Sequence, residues 1–321
     1  MDSVELCAGT GGQALGLEQA GFDHRALVEI DGHCRATLRL NRPEWNVTEG
    51  DDCDVSKFSG APFRGIDLLA GGLPCPPFSV AGKQLGEADE RNLFPDALRI
   101  IDECRPNAVL IENVRGFLDP IFAEYRQHLR DSLLKLGYEA DWKPFNASNF
   151  GVPQLRPRVM IVAIKSERRD HFHWPEPLAR RAKTVGETLA DLMAANDWAG
   201  TRSWAARAND IAPTIVGGSK KHGGPDLGPT RARAAWRTLG VDGIGIADAA
   251  PMPDFVGMPR LTVRMVARLQ GFPDDWAISG RKTAAYRQVG NAFPPPMARA
   301  VGEKIFQALG GRTFEPAIAH G

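Results

Sequence analysis

The stretch "SVELCAGTGGQALGLEQAGFDHRALVEID", Ser3 to Asp31, decides the fold. Its first seven residues are an apolar run that ends in glycine. "GQALGLEQAG" then carries apolar residues at helical spacing and closes at Gly21. "HRALVEID" is a second strand-like run. Strand, glycine turn, helix and strand open a βαβ unit. Gly9, Gly11 and Gly12 fall where strand becomes helix. Glycine there permits a tight turn and lets the backbone approach a ligand at the helix N-terminus. Gly9-x-Gly11-x-x-Ala14 also satisfies the loose dinucleotide pattern, which alone is weak. Glu29 ends the second strand, 17 residues past Gly12, where a carboxylate can accept hydrogen bonds from ribose hydroxyls. Asp51, in the following loop, is placed to hold an adenine amino group. These residues point to an adenosine-containing cofactor and leave open a nicotinamide dinucleotide or S-adenosyl-L-methionine.

The alternation continues outward from that unit. "IDLLAGG" (66–72), "NAVLIENV" (107–114) and "RPRVMIVAIK" (156–165) read as buried strands. "LFPDALRIIDEC" (93–104) and "YRQHLRDSLLKLGY" (125–138) read as helices, the second stopping at Gly137. Strands alternating with helices predict a doubly wound, mostly parallel, Rossmann-like α/β sheet. The pattern degrades after about residue 170. Residues 198–260 are rich in Gly, Pro, Arg and Trp, and "GGSKKHGGPDLGPTRAR" (217–233) is expected to contain no regular element. Regular structure returns with the helix "LTVRMVARLQGF" (261–272) and ends with the helix "PPMARAVGEKIFQALG" (295–310), which has proline at its start and glycine at its end.

The 321 residues are 43% hydrophobic and 24% charged, with a formal net charge of zero. That profile is globular, and no apolar run approaches the roughly 20 residues of a membrane span. The five cysteines, Cys7, Cys34, Cys53, Cys75 and Cys104, are widely spaced, with no CxxC pair. No metal site is expected, and reduced thiols in a cytoplasm fit this usage. The N-terminus shows no secretory pattern. Charge is uneven: residues 1–60 carry eleven acids against five bases, and residues 201–240 carry seven bases against two acids. A neutral chain with one basic stretch is suited to bind a polyanion there.

Cys75 sits in "GGLPCPPFSVAGKQ" (71–84), stiff with proline around the thiol and loose with Ser79, Ala81 and Gly82 beyond it. It follows a strand, and ligands collect at the carboxyl ends of strands in open α/β sheets. Glu112 ends the next strand, and Gln154, Arg156 and Arg158 open a further one. A thiol, a carboxyl and two guanidinium groups are thus expected on one rim. A buried carboxyl can donate a proton near neutrality, and a nearby arginine favours thiolate.

"ELCAGTGG", "GGLPCPPFSVAGKQ", "ENV", "QLRPR", "RLTVRMVARLQGFPDDW" and "AYRQVGNAFPPPMA" follow one another over almost the whole chain. In this the sequence resembles the DNA cytosine-5 methyltransferases of bacterial restriction-modification systems, with their S-adenosylmethionine-dependent methyltransferase fold. The resemblance implies that Cys75 is the nucleophile and Glu112 the acid, with Arg156 and Arg158 holding the site and the target base. It implies a cofactor site of Cys7, Ala8, Gly9, Thr10, Gly11, Gly12, Glu29, Ile30, Asp51, Asp52, Gly72, Pro74, Leu93, Asn291 and Ala292, with Asn291 closing near Gly9 and Gly11. The loop after Cys75, hinged at Gly82 and Gly86, would close on DNA through Ser79, Lys83 and Gln84. Two positions depart from the family pattern: Pro76 stands where glutamine is usual, and Cys7 where an aromatic residue is usual.

The same resemblance divides the chain into a catalytic domain, 1–179 with 283–321, and a loop-rich target-recognition domain, 180–282. Thr214, Lys220, Lys221, Arg231 and Arg233 are its expected DNA contacts. The implied partners are double-stranded DNA, bound by a monomer, and a restriction endonuclease acting on the same site. A related branch methylates transfer RNA and carries a Cys-Phe-Thr signature in the recognition region; this sequence has no cysteine after Cys104.

Overall fold

In the computed structural model, which describes residues 1–73, 92–218 and 224–311, the opening stretch folds as its periodicities require. Strand β1 (Asp2–Leu6), helix α1 (Gly12–Gln19) and strand β2 (Asp23–Val28) form a parallel βαβ unit. The turn into α1 is left-handed at Gly9 and Gly11, with φ of +56° and +87°. Then follow α2 (Gly32–Asn41), β3 (Leu68–Gly71), α3 (Phe94–Cys104), β4 (Ala108–Val114), α4 (Ala123–Lys135), β5 (Tyr138–Asn146) and β6 (Pro157–Lys165).

The six strands form one sheet in the order β2-β1-β3-β4-β6-β5. β1, β2, β3 and β4 pair in parallel, and β6 runs antiparallel to both β4 and β5. The expected mostly parallel sheet is therefore present, with β6 its one reversed strand. β5 was not expected. Its sequence, "YEADWKPFN", carries charges and Pro144, and only an edge position tolerates a proline that cannot donate to the ladder.

Side chains alternate across the sheet and build two apolar layers. Val4, Leu69, Val109, Ile111 and Ile161 pack with α3 and α4 on one face. Leu68, Ala70, Leu110, Met160 and Val162 pack on the other with α10 (Pro295–Ala308), so the C-terminal helix returns to the sheet. α10 lies close on α1: a methyl on Gly16 would sit 2.4 Å from Pro295 O, and one on Gly302 2.9 Å from Leu17 Cδ2.

The later region is more regular than its composition suggests. It contains α5 (Val185–Met193), α6 (Thr201–Arg207), α7 (Thr230–Thr238), α8 (Val263–Leu269) and α9 (Lys282–Asn291). The expectation of no regular element in 217–233 is corrected at its end, where α7 begins at Thr230. α6 and α7 are too short to show a period, and each is pinned by one buried tryptophan, Trp204 and Trp236. These join a third apolar cluster that runs through Trp276 to Leu15, Leu27 and Leu38 beside the first helix. No helix among the described residues is long and apolar enough to cross a membrane.

His24, on β2, shows how this core responds to acid. Its Nε2 donates to Ala14 O at 2.9 Å, its Nδ1 accepts from Ser3 Oγ at 2.9 Å, and its ring packs edge-on against Trp45. Burial pushes its pKa below the ordinary value, outweighing the Ala14 carbonyl. The unfolded chain therefore takes up a proton near pH 6.5 that the native chain refuses, so stability is present above that pH and is lost as pH falls. In denaturant titrations between about pH 7 and pH 5, the wild type loses stability on acidification. His24→Gln shows a shallower loss over the same window.

Candidate active site

The sheet order sets the site. β3 lies between β1 and β4, so its carboxyl end emerges between the glycine turn that follows β1 and Glu112 at the end of β4. Gly72 follows directly. A methyl group built on Gly72 would lie 3.8 Å from Cys7 O, 3.8 Å from Glu112 Oε2 and 3.9 Å from Gln13 Oε1. Cys75 is four residues beyond Gly71, a reach of at most about 14 Å. Cys75, Pro74, Pro76, Ser79, Gly82, Lys83, Gln84 and Gly86 lie outside the described residues, as do Lys220 and Lys221.

Glu112 and Arg158 come together through register. Glu112 faces Met160 and Val114 faces Arg158 across the β4–β6 pair, so Arg158 is the diagonal neighbour of Glu112 on one face. Arg158 Nε and Glu112 Oε1 form an ion pair, with both side chains largely buried. This leaves Oε2 directed at the Gly72 side.

Arg156 is more deeply held, at 1% exposure. Its Nη1 donates to Ile215 O at 2.7 Å and its Nη2 to Gly290 O at 3.1 Å. Burial lowers its pKa, Arg158 adds to that, and Glu112 opposes it. Gln154 works beside it: Oε1 accepts from Ile215 N at 2.9 Å, and Nε2 donates to Gln270 Oε1 at 2.7 Å. Gln270 in turn donates to Val289 O at 2.8 Å. Thr214 Oγ1 donates to Leu155 O at 2.5 Å. The start of β6, the turn at 212–218 and α9 are thus tied into one buried polar seam.

On the cofactor side, Glu29 accepts from Gly9 N at 2.7 Å and from Asp31 N at 2.6 Å. Burial raises its pKa, and those two amides partly offset the rise. Beneath it Glu5 is buried in β1, its pKa pushed well up by burial and then by Glu29. Each Glu29 oxygen keeps a second lone pair for ribose hydroxyls. Ile30 exposes an apolar side chain next to it, and Asp51 and Asp52 are exposed. Asp51 pairs with Lys57 at 2.8 Å. Cys7 takes a left-handed φ of +54° at the head of the turn, and Thr10 is buried. These donors, acceptors and small residues fit an adenosine-bearing cofactor.

Asn291 is not brought against Gly9 or Gly11 by any hydrogen bond; its Nδ2 donates to Gly218 O at 3.1 Å. The link from α9 to the turn is made by Gln288, whose Oε1 accepts from Thr37 Oγ1 at 2.7 Å and Thr10 Oγ1 at 3.4 Å. Trp276 Nε1 donates to Thr10 O at 3.1 Å and its ring lies against Gly11. Sequence reasoning passed over Gln13, Gln270, Trp276 and Gln288. The last three stand within the motif-bearing segments, and their polar side chains in apolar settings were the available signal. Leu93 packs against one apolar cluster and Ala292 is buried in another. Arg231 and Arg233, on α7, are paired with no acid among the described residues.

A family model described as C-5 cytosine-specific DNA methylase matches residues 1–307. The chain is 57% identical to the Type II methyltransferase M.NaeI of Lentzea aerocolonigenes, over 96% of this chain and 75% of that protein. It is 55% identical to the Type II methyltransferase M.NgoMIV of Neisseria gonorrhoeae, over 96% and 97%. Among solved structures, a variant of Spodoptera frugiperda DNMT2 superposes with a TM-score of 0.65 at 17% identity, covering 95% of this chain and 99% of the other, a likeness of fold.

The seam around Arg156 makes a direct prediction. Arg156→Met removes two charged donors from buried carbonyls and lowers the unfolding free energy by about 2–4 kcal/mol in urea titration. Arg156→Lys does not restore it, because an ammonium cannot fork to both carbonyls.

Proposed function

Because the chain belongs to the C-5 cytosine-specific DNA methylase family, we propose that Cys75 and Glu112 carry out its reaction from the ends of β3 and β4, the two strands next in the sheet after the one that bears the glycine turn. The chain is a DNA (cytosine-5)-methyltransferase of the Type II modification kind. The observation that carries the residue assignment is the Glu112–Arg158 pair, set beside Gly72 at the head of the segment that leads to Cys75.

Cytosine C5 is an unactivated ring carbon. The Cys75 thiolate adds to C6, forming an S–C6 bond, while the ring electrons move toward C5 and N3. Glu112 donates a proton or hydrogen bond to N3, so negative charge does not accumulate there. Arg158 holds Glu112 by one oxygen and contacts the base, and Arg156 supports the pocket. S-adenosyl-L-methionine, when bound, supplies an electrophilic methyl group carried on a sulfonium. Once C5 has gained that methyl group, its proton passes to solvent water, the C5–H electron pair re-forms the C5–C6 double bond, and the S–C6 bond breaks to return the thiolate to Cys75. C6 is unreachable in a stacked duplex, so the target base is turned out at a cost of a few kcal/mol.

The cofactor is held by the turn from Cys7 to Gly12, by Glu29 and Ile30, by Asp51 and Asp52, and by Gly72, Pro74, Leu93, Asn291 and Ala292. Residues 180–282 are the proposed target-recognition domain, with 1–179 and 283–321 the catalytic one. Thr214 sits beside Arg156 through Leu155 and is suited to the flipped-base backbone. Arg231, Arg233, Lys220 and Lys221 supply charge for phosphate or guanine, and Ser79, Lys83 and Gln84 contact DNA from the loop after Cys75. A monomer on its duplex site and a restriction endonuclease reading the same site complete the proposal.

The test is methyl transfer from tritiated S-adenosyl-L-methionine to duplex DNA, beside unmodified transfer RNA. Label appears in DNA. Cys75→Ser abolishes it, and Glu112→Gln lowers the rate at least about 100-fold. Full activity in Cys75→Ser contradicts the mechanism.

A further inference from the structure

Gln13 is an anomaly that the reaction as described leaves unused. It is the second residue of α1, 3% exposed, and neither Nε2 nor Oε1 of its amide has a hydrogen-bond partner. Leaving both ends of a buried amide unpaired costs about 1–3 kcal/mol per group. A protein interior pairs such groups or keeps them for a ligand.

The surroundings identify the ligand chemistry. Gln13 Oε1, Glu112 Oε2 and Cys7 O converge around the bare Cα of Gly72, within 3.9 Å of the point where a Cβ would stand. Three oxygens line that space. The nearby cation, Arg158, is engaged on the other oxygen of Glu112. Turning the Gln13 amide breaks no internal hydrogen bond, so its oxygen is free to face inward. An oxygen-lined cradle complements a positive charge on carbon-bearing groups rather than a neutral or anionic one. It lies where the cofactor turn meets the base-facing acid. We propose that Gln13 is a specificity residue that recognises the sulfonium charge of the methyl donor and so separates S-adenosyl-L-methionine from its neutral thioether product, S-adenosyl-L-homocysteine. The inference rests on the cofactor reading above. It also gives the enzyme a reason to release product: the charge that the cradle favours leaves with the methyl group.

Titration calorimetry on the full chain, without DNA, tests this. The wild type, Gln13→Leu and Gln13→Met are each titrated with S-adenosyl-L-methionine and with S-adenosyl-L-homocysteine. Both substitutions keep the volume and remove the amide, and neither lowers the melting temperature of the ligand-free protein, because no internal hydrogen bond is lost. The methionine variant serves if the leucine variant fails to fold. The expected result is about tenfold weaker binding of the sulfonium in the variants, with the thioether changed less than about twofold. Equal losses for both ligands, or no loss for either, overturn the role of Gln13 while leaving the cofactor assignment intact. A wild type that binds neither ligand overturns the cofactor assignment itself.

Discussion

The adjacency of β1, β3 and β4 is the constraint on which the site depends. Each strand delivers one chemical part at its carboxyl end: the glycine turn, the Pro-Cys segment and Glu112. Parallel pairing places the three strand ends on one edge, and the β1-β3-β4 order puts the end of β3, from which the chain continues toward Cys75, in the middle. Gly72 is the point where they meet, and the absence of a side chain there keeps the three oxygens apart from any filler. The reversal of β6 then matters. Because β6 runs antiparallel to β4, its start at Pro157 and Arg158, with Arg156 just before it, arrives at the same edge where β4 ends.

The same edge is where the later region is fastened. Arg156 reaches both the 212–218 turn and α9, and Gln154 and Gln270 complete the bridge with amide hydrogen bonds. Directional hydrogen bonds in a buried polar network fix geometry more narrowly than apolar contact does. The apolar cluster from Leu15 and Leu38 through Trp276 to Trp204 adds area to that seam, and Gln288 ties α9 back to Thr10 beneath the glycine turn. The glycine turn, the start of β6 and the 212–218 turn are therefore held in one frame.

Much of this was legible in the residues. The opening βαβ unit, the strands at 66–72, 107–114 and 156–165, and the helices α3, α4 and α10 followed from periodicity and from glycine and proline punctuation. β5 did not, because Pro144 and its charged neighbours speak against a strand unless its edge position is known. α6 and α7 did not, because seven to nine residues with one buried tryptophan carry too little periodicity. Glu112, Arg156 and Arg158 were found as strand-end residues, yet which arginine pairs with the acid depended on register, a tertiary fact. The amides of Gln270 and Gln288 left only the mark of polar residues in apolar settings, and Gln13 left none: only the fold reveals that each is buried, and whether it has a partner.

The central claim is that a thiol between two prolines attacks C6 of a cytosine held against Glu112. The most direct measurement uses duplex DNA carrying 5-fluorocytosine, in which fluorine replaces the C5 proton that must leave. Incubated with this DNA and S-adenosyl-L-methionine, the wild-type protein should form a complex that survives denaturing electrophoresis, and peptide mass spectrometry should place the adduct on Cys75. Cys75→Ser should form none. An adduct on another residue, or a denaturation-stable complex in Cys75→Ser, would contradict the account.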